Sequence, residues 1–154
     1  MERSSGIILF RKVDGRYEFF VCTPDGPYWV HRELWNFPKG HVEKGETDFE
    51  AALREFKEET SITLSKRTHY IDFGMVKQNA KKMVHVYGKK WKGEDTSNCS
   101  SNMTSTYYNG HKIRHHEIKA YAWKTLEELE TNGMKCYLPI FREIIGNDYY
   151  CQGC

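Results

Sequence analysis

The sequence lacks long apolar runs and an excess of charge of either sign. Among its 154 residues, 23 Lys and Arg face 21 Asp and Glu, which gives a net charge of +2. A membrane-spanning helix needs about 20 consecutive apolar residues, and the first apolar segment, Gly6–Phe10, follows Met1–Ser5 without the features of a signal peptide. We therefore expect a cytoplasmic protein without a membrane anchor and without a global attraction to nucleic acid.

Cysteine is also scarce, because the chain has five cysteines at irregular spacing. Cys151 and Cys154 form an isolated C-x-x-C pair, with no second pair or histidine at zinc-ligand spacing. A disulfide framework and a structural zinc site are therefore disfavoured. The length suits one domain with a substantial core. We expect residues 1–146 to form this domain and residues 147–154 a C-terminal tail, and no feature indicates an obligate protein partner.

Apolar patterning and turn residues predict a sheet flanked by helices. Strands are expected at 4–10 and 17–22, joined by an Asp14-Gly15 hairpin turn. Thr47 and Thr125 each begin a Thr-x-x-Glu capping box and so predict helix starts. The remaining expectations are strands at 34–37, 71–77, 83–87 and 118–123, a helix at 138–145, and a long polar loop or insertion over the active face at 93–114.

The densest chemical information lies between Gly40 and Ile62. On a helix, Glu55, Glu58 and Glu59 fall within about 100° of one another. Neighbouring carboxylates repel unless a cation lies among them, and oxygen ligands suit a hard divalent cation. A solvated acidic helix face is the alternative for such a pattern taken by itself, and the residues before the helix decide between the two.

The spacing of this segment, Gly-x5-Glu-x7-Arg-Glu-U-x-Glu-Glu-x-Ser-U, where U is bulky and apolar, resembles the signature of the Nudix hydrolases. The matching residues are Gly40, Glu46, Arg54, Glu55, Phe56, Glu58, Glu59 and Ile62. Ser61 replaces a glycine that usually ends the helix, at a cost of about 1 kcal/mol or less. The resemblance implies a Nudix α/β/α sandwich with a mixed central sheet.

The resemblance also implies roles for individual residues. The carbonyl of Gly40 and the carboxylates of Glu58 and Glu59 would hold Mg²⁺ or Mn²⁺, and Glu55 would be a further metal ligand or the general base. Arg54 would orient the carboxylates, since it can pair with Glu58 and reach back to Glu46; an ordinary surface ion pair is the alternative. The expected catalytic residues are Glu46, Arg54, Glu55 and Glu58. The implied reaction is attack of water on a phosphorus atom of a nucleoside diphosphate-linked substrate.

Two segments outside the signature bear on the substrate. Pro38–Glu46 and the His-Glu-x-x-Ala-Tyr-x-Trp segment at His116–Trp123 resemble the asymmetrical diadenosine tetraphosphate hydrolases. That resemblance implies that Glu117 adds a carboxylate to the metal site. Gly26–Trp29 resembles equally a group of bacterial Nudix proteins described as nucleoside triphosphate pyrophosphohydrolases.

The favoured reaction is therefore Mg²⁺-dependent cleavage of diadenosine tetraphosphate to ATP and AMP. Pyrophosphohydrolysis of a nucleoside triphosphate or of an RNA 5′ end is the alternative, and a non-catalytic nucleotide-binding sensor is the alternative from another class. The expected partner is thus a nucleotide or dinucleoside polyphosphate, or an RNA 5′ end, and no membrane. The candidate substrate-binding residues are Trp29, Lys39, His41, Lys82, His85 and Tyr87.

Overall fold

The computed structural model of the protein describes residues 1–151. Its strands are β1 (Glu2–Val13), β2 (Arg16–Pro24), β3 (Lys39–His41), β4 (Ile71–Asn79), β5 (Lys82–Lys90), β6 (Met103–Tyr108), β7 (His111–His116) and β8 (Ile118–Lys124). Its α-helices are α1 (Asp48–Thr60), α2 (Leu126–Asn132) and α3 (Leu138–Ile145). Short 3₁₀ turns occupy Pro27–Trp29, Lys135–Tyr137 and Asp148–Cys151.

The main sheet is mixed and runs in the order β4-β5-β1-β2-β8, with β3 paired to β1 beside this path. β1 is parallel to β5 and antiparallel to β2 and β3. The antiparallel pairing with β3 joins Ser5 to Gly40 and Gly6 to Lys39. This pairing places the loop before α1 directly against the centre of the sheet.

Alternation along β1 divides the core into two layers, because successive strand residues point to opposite faces. Ile7 and Leu9 pack with Phe56 and the rest of the apolar side of α1. Ile8 and Phe10 belong to the other layer, which also includes Leu129 of α2 and Phe141 of α3. The result is the α/β/α sandwich with a mixed sheet that the sequence predicts.

Local signals determine the turn and the helix start that bound the site. Asp14 and Gly15 adopt positive φ angles of 50° and 78°, which a two-residue hairpin turn requires. At the start of α1, the Thr47 hydroxyl accepts from the Glu50 amide at 3.1 Å and the Glu50 carboxylate accepts from the Thr47 amide at 2.9 Å. Ser61 ends this helix in the left-handed conformation with φ of 70°.

Two predictions about local structure are wrong. Leu34–Phe37 forms no strand, because Asn36 makes a single bridge to Cys22 of β2 while Trp35 makes a single bridge to Gly133. Consecutive residues that pair with different partners cannot extend one ladder. The segment 93–114 is not one long loop, since β6 and β7 form an antiparallel hairpin around Asn109 and Gly110.

Of the helices in residues 1–151, none combines the length and the apolar character needed to cross a bilayer. Within the predicted tail, Asp148 accepts a hydrogen bond from the Tyr17 hydroxyl at 2.7 Å. Cys154, the second cysteine of the C-x-x-C pair, lies outside the described residues.

Candidate active site

Arg54 is the central cation of the loop–helix unit. Its guanidinium donates two hydrogen bonds to Glu46, at 3.0 and 2.7 Å, and one each to Glu55 and Glu58, at 2.8 and 3.0 Å. It also donates to the carbonyl of His41 at 2.8 Å. Hydrogen bonds from Arg54 lower the pKa of Glu46, and those same contacts raise the pKa of Arg54. One side chain therefore fixes the loop and two helix carboxylates relative to one another.

Gly40 permits a close approach between the loop and the helix. A Cβ atom at this position would lie 2.2 Å from the carboxylate of Glu55. This separation is well inside van der Waals contact, so only glycine fits without displacing the carboxylate. The backbone of β3 and the Glu55 side chain therefore occupy one compact site.

The carboxylates of α1 are crowded and partly removed from water. The exposed fraction of the Glu55 side chain is 12%, and that of Glu59 is 9%. Burial, with the charge of Glu55 second, raises the pKa of Glu59 to about 8. Burial also raises the pKa of Glu55, with the charges of Glu58 and Glu117 adding to the effect and Arg54 opposing it.

Glu117 comes from a different element, the junction between β7 and β8. Its amide donates to the Asn102 carbonyl at 2.9 Å, and the Asn102 amide donates to the carbonyl of Glu58 at 3.0 Å. Burial and then the negative charge of Glu58 raise the pKa of Glu117. Burial, together with the charges of neighbouring carboxylates from two parts of the chain, thus raises the pKa values of Glu55, Glu59 and Glu117, which indicates a site short of positive charge.

A cavity of about 340 Å³ adjoins this cluster. Lys39, Glu59 and Glu117 all line it. Burial, followed by the nearby charge of Lys82, lowers the pKa of Lys39 to about 8. The remaining lining residues are Cys22, Pro24, Trp29, Leu34, Asn36, Phe37, Gln78, Ile118 and Met134. Two carboxylates and one lysine therefore meet at the wall of one cavity.

A family model of the NUDIX domain matches residues 3–144. The chain belongs to the Nudix family. The match covers the cavity, the carboxylate helix and Glu117, and it confirms the family inferred from the sequence.

Curated relatives differ in how much of the chain they match. The asymmetrical bis(5'-nucleosyl)-tetraphosphatase of Mus musculus is 32% identical, over 92% of this chain and 87% of the mouse protein. The Caenorhabditis elegans enzyme of the same name is 39% identical over 46% of this chain, and the match spans about half of that relative, 48%. An RNA pyrophosphohydrolase of Nitratiruptor sp. is 31% identical over 57% of each chain. These relatives support the expected pyrophosphohydrolase class.

Solved structures agree on the fold. The Ap4A hydrolase of C. elegans in a binary complex has a TM-score of 0.60 at 23% identity, over 95% of this chain and 98% of that one. The NUDIX domain of Shewanella oneidensis NrtR, crystallised with ADP ribose, has a TM-score of 0.62 at 14% identity, over 93% and 84% of the two chains. At these identities the likeness shows the Nudix fold alone.

The Nudix family generally uses divalent cations, and the donors of this chain suit one. All are oxygen atoms, and burial, joined by the charges of neighbouring carboxylates, raises the pKa values of Glu55, Glu59 and Glu117. Within residues 1–151, however, no three acidic, histidine or cysteine side chains are already arranged around one ion position. Arg54 instead holds the carboxylates of Glu55 and Glu58.

The sequence-predicted substrate residues separate into three places around the Nudix fold. Lys39 and Trp29 line the cavity beside the carboxylates, and Lys82 is close enough to Lys39 to lower its pKa. Tyr87 lines a second cavity of about 460 Å³ together with Arg3 and Asp48. This second cavity lies against the start of α1, on the opposite face of β5 from Lys82, as alternation along a strand requires.

His85 and His41 make contacts that the sequence does not reveal. The His85 ring lies between Asp48 and Asp72, with each ring nitrogen 2.7 Å from a carboxylate oxygen. It also stacks on Tyr87 at a centroid distance of 4.4 Å. His41 is 68% exposed and lies 2.9 Å from Glu2, so only its carbonyl reaches the Nudix site, through Arg54.

Sequence reasoning missed two residues that support the site. Tyr121 of β8 donates its hydroxyl proton to the carbonyl of Glu59. Tyr121 lies within the His116–Trp123 segment that resembles other Nudix hydrolases, and that segment was the available signal. Arg3 forms an ion pair with Asp48 at the first residue of α1, and no local pattern indicates this contact.

Proposed function

We propose that this protein is a Nudix pyrophosphohydrolase that cleaves diadenosine tetraphosphate asymmetrically to ATP and AMP. The observation that carries the proposal is the meeting of Glu59, Glu117 and Lys39 at one cavity. A polyphosphate needs cations on both sides of the attacked phosphorus. The carboxylate cluster is suited to bind a divalent cation, and Lys39 with Lys82 is suited to bind phosphate oxygens directly.

In this proposal Glu58, Glu59, Glu117 and the Gly40 carbonyl would hold Mg²⁺ or Mn²⁺, and Glu55 would be a further ligand or the general base. The bound cation would polarise phosphoryl oxygens and lower the pKa of the attacking water. Residues of the chain supply the rest of the chemistry.

Glu55 or Glu58 accepts the proton of the attacking water, and Arg54 keeps both carboxylates oriented. Its contacts of 2.8 and 3.0 Å to these two residues support that role. One phosphoanhydride bond is broken and one P–O bond to the water oxygen is formed, which yields AMP and ATP from one tetraphosphate and one water. Lys39 and Lys82 would compensate the charge of the leaving triphosphate portion.

The decisive substitution is Glu58→Gln, because Glu58 is partly exposed and faces Arg54 and not the core. We expect turnover of diadenosine tetraphosphate with Mg²⁺ to fall by about 10³-fold, since a lost anionic ligand removes several kcal/mol of transition-state stabilisation. Glu143→Gln, an exposed glutamate on α3, is the matched control and should retain full activity.

Products would be separated by chromatography after reaction in ¹⁸O-labelled water, which identifies the attacked phosphorus. Label in AMP supports asymmetric cleavage beside the nucleoside. Equal activity of Glu58→Gln and Glu143→Gln on every nucleotide offered would refute the assignment.

A second candidate reaction is removal of diphosphate from the 5′ end of RNA. The partial match to the RNA pyrophosphohydrolase of Nitratiruptor sp. favours it. The same assay with nucleoside triphosphates and 5′-triphosphorylated RNA ranks these substrates by kcat/KM. Nucleotide binding without metal-dependent turnover of any of them would instead indicate a sensor.

A further inference from the structure

The β6–β7 hairpin is a separate two-stranded sheet that stands beside the active site. Its second strand leads directly into Glu117, whose carbonyl accepts from the Asp25 amide at 3.0 Å. Strand pairing is regular, with Tyr107 opposite Lys112 and Ser105 opposite Arg114. The hairpin is therefore an ordered extension whose base is fixed at a candidate catalytic carboxylate.

The inner face of this hairpin is anchored to the segment 26–28. The Tyr28 ring packs edge-on against Tyr108 at a centroid distance of 5.2 Å, and the Tyr28 hydroxyl donates to the Tyr107 carbonyl at 3.2 Å. His115 lies so close to Gly26 that a Cβ there would be 2.9 Å from the imidazole. The next residue along, Trp29, lines the active-site cavity. Hairpin and cavity thus share one supporting segment.

The outer face carries an unusual set of side chains. Alternation and register place Met103, Ser105, Tyr107, Lys112, Arg114 and His116 on this face. Tyr107 is 69% exposed. The segment 103–116 contains no Asp or Glu, and within residues 1–151 neither Lys112 nor Arg114 forms an ion pair. An exposed aromatic ring is therefore flanked by two cations without local compensation.

We propose that the outer face of the β6–β7 hairpin binds a single-stranded polynucleotide. An aromatic ring provides a stacking surface for any base, and Lys and Arg beside it follow the phosphate backbone. The face extends about 17 Å along the strands, which exceeds the size of one nucleoside. The charges of Lys112 and Arg114 are spread along this length. A polynucleotide has phosphates at intervals that can meet such charges, whereas the second nucleoside of a small dinucleotide has none.

This inference does not depend on the proposed function, so binding can be tested without turnover. Fluorescence anisotropy would measure the affinity of the native protein, in EDTA, for a short labelled single-stranded RNA carrying either a 5′-triphosphate or a 5′-hydroxyl. Tyr107→Ala should weaken binding of both RNAs at least five-fold, roughly the lower end of a base–aromatic stacking contribution. Tyr149→Ala is the matched control, because Tyr149 is 71% exposed and lies outside the hairpin.

The two cations are tested by salt dependence. The double substitution of Lys112 and Arg114 by Ala should reduce the slope of log K against log salt by about 1.4, since each contact to a single strand contributes about 0.7. Replacement of the exposed pair Lys66 and Arg67 by Ala, far from the hairpin in sequence, should leave the slope unchanged.

Three results would overturn the inference. They are absence of RNA binding by the native protein, equal affinities of Tyr107→Ala and Tyr149→Ala, and a defect of Tyr107→Ala that occurs with diadenosine tetraphosphate and not with RNA. A native protein that binds RNA but hydrolyses no nucleotide would refute the proposed function and leave the binding face supported.

Discussion

The loop–helix unit at 40–60 and the hairpin at 103–116 border the same active site but are held in different ways. In the loop–helix unit, Arg54 contacts Glu46, Glu55 and Glu58, and α1 packs its apolar side into the core. Within residues 1–151, the two strands of the hairpin pair only with each other, and their side chains contact Tyr28 and Gly26. A substitution in the loop–helix unit disturbs several side chains, because Arg54 contacts them all. A substitution on the outer face of the hairpin affects one exposed side chain. Substitutions on the outer face of the hairpin should therefore leave the contacts of Arg54 intact.

The largest difference between the two regions should come from matched glycine substitutions. Gly40→Ala places a methyl group 2.2 Å from the Glu55 carboxylate, and a displacement of about 1 Å in a catalytic group costs roughly 10²-fold in rate. Gly110→Ala meets no atom within 4 Å and strains only a residue with φ of 78°. We expect it to leave the hydrolysis of diadenosine tetraphosphate within about two-fold, at a local cost of about 1 kcal/mol.

Steady-state kinetics and circular dichroism of both variants test this contrast. If both variants fold and hydrolyse the substrate at the same rate, catalysis does not depend on the position of the Glu55 carboxylate against the loop.

Lysines in the two regions should differ in their effect on stability. Burial and then the charge of Lys82 lower the pKa of Lys39 to about 8, below its ordinary value of 10.5. The protonated lysine therefore costs folding energy, and Lys39→Met should stabilise the metal-free protein by about 1–3 kcal/mol at pH 7. The same substitution should raise KM if Lys39 binds phosphate as proposed. The exposed Lys112 carries no such cost, so Lys112→Met should change stability by less than about 0.5 kcal/mol.

The pH dependence of the Lys39→Met effect has a definite sign. Below pH 8 Lys39 is charged in both the folded and the unfolded protein. The full cost of burying its charge is then present, so Lys39→Met raises the free energy of unfolding most. As pH rises from about 8 towards 10.5, the folded protein loses the proton first and the gain declines. Urea unfolding at pH 7 and pH 10 measures this, and a gain that grows with pH would contradict the assigned burial of a charged Lys39.

The smallest predicted effect concerns the end of α1. Ser61 has φ of 70°, and its hydroxyl donates to the Ser100 carbonyl at 2.7 Å. Ser61→Gly and Ser61→Ala both remove this hydrogen bond, so their difference isolates the left-handed backbone. We expect the glycine variant to be more stable by about 1 kcal/mol. Equal unfolding midpoints would show that the helix end relaxes freely, unlike the loop at Gly40.

Local signals in the sequence were sufficient for most of the fold. The Asp14-Gly15 turn and the capping boxes at Thr47 and Thr125 lie where the sequence predicts them, because each depends on residues within four positions. The β6–β7 hairpin was missed although Asn109-Gly110 is a strong hairpin signal. Its strands lack the usual alternation of buried apolar and exposed polar residues, since five of the six β6 residues are exposed.

The candidate site was predictable only where the chemistry is contained in one helix and its loop. The contacts of Arg54 with Glu46 and Glu58 follow from helical spacing and a short loop. By contrast, His85 lies between Asp48 and Asp72, which are 37 and 13 residues away. Such contacts arise from the register of β4, β5 and α1, and no pattern within one segment reports them. For the same reason the sequence could not separate the two cavities.

The buried thiol of Cys22 gives the protein an internal reporter of motion at the active site. Its sulfur lies 3.8 Å from a carboxylate oxygen of Glu59, and burial followed by the charge of Glu59 raises its pKa well above the ordinary value. A thiol in this state is unreactive while the junction of β2 and α1 is closed. Because Cys22 also lines the cavity, the rate at which an alkylating reagent modifies it measures how often the thiol becomes accessible from that side. A ligand that closes the cavity should slow that reaction at Cys22 while leaving the partly exposed Cys99 and Cys136 unaffected.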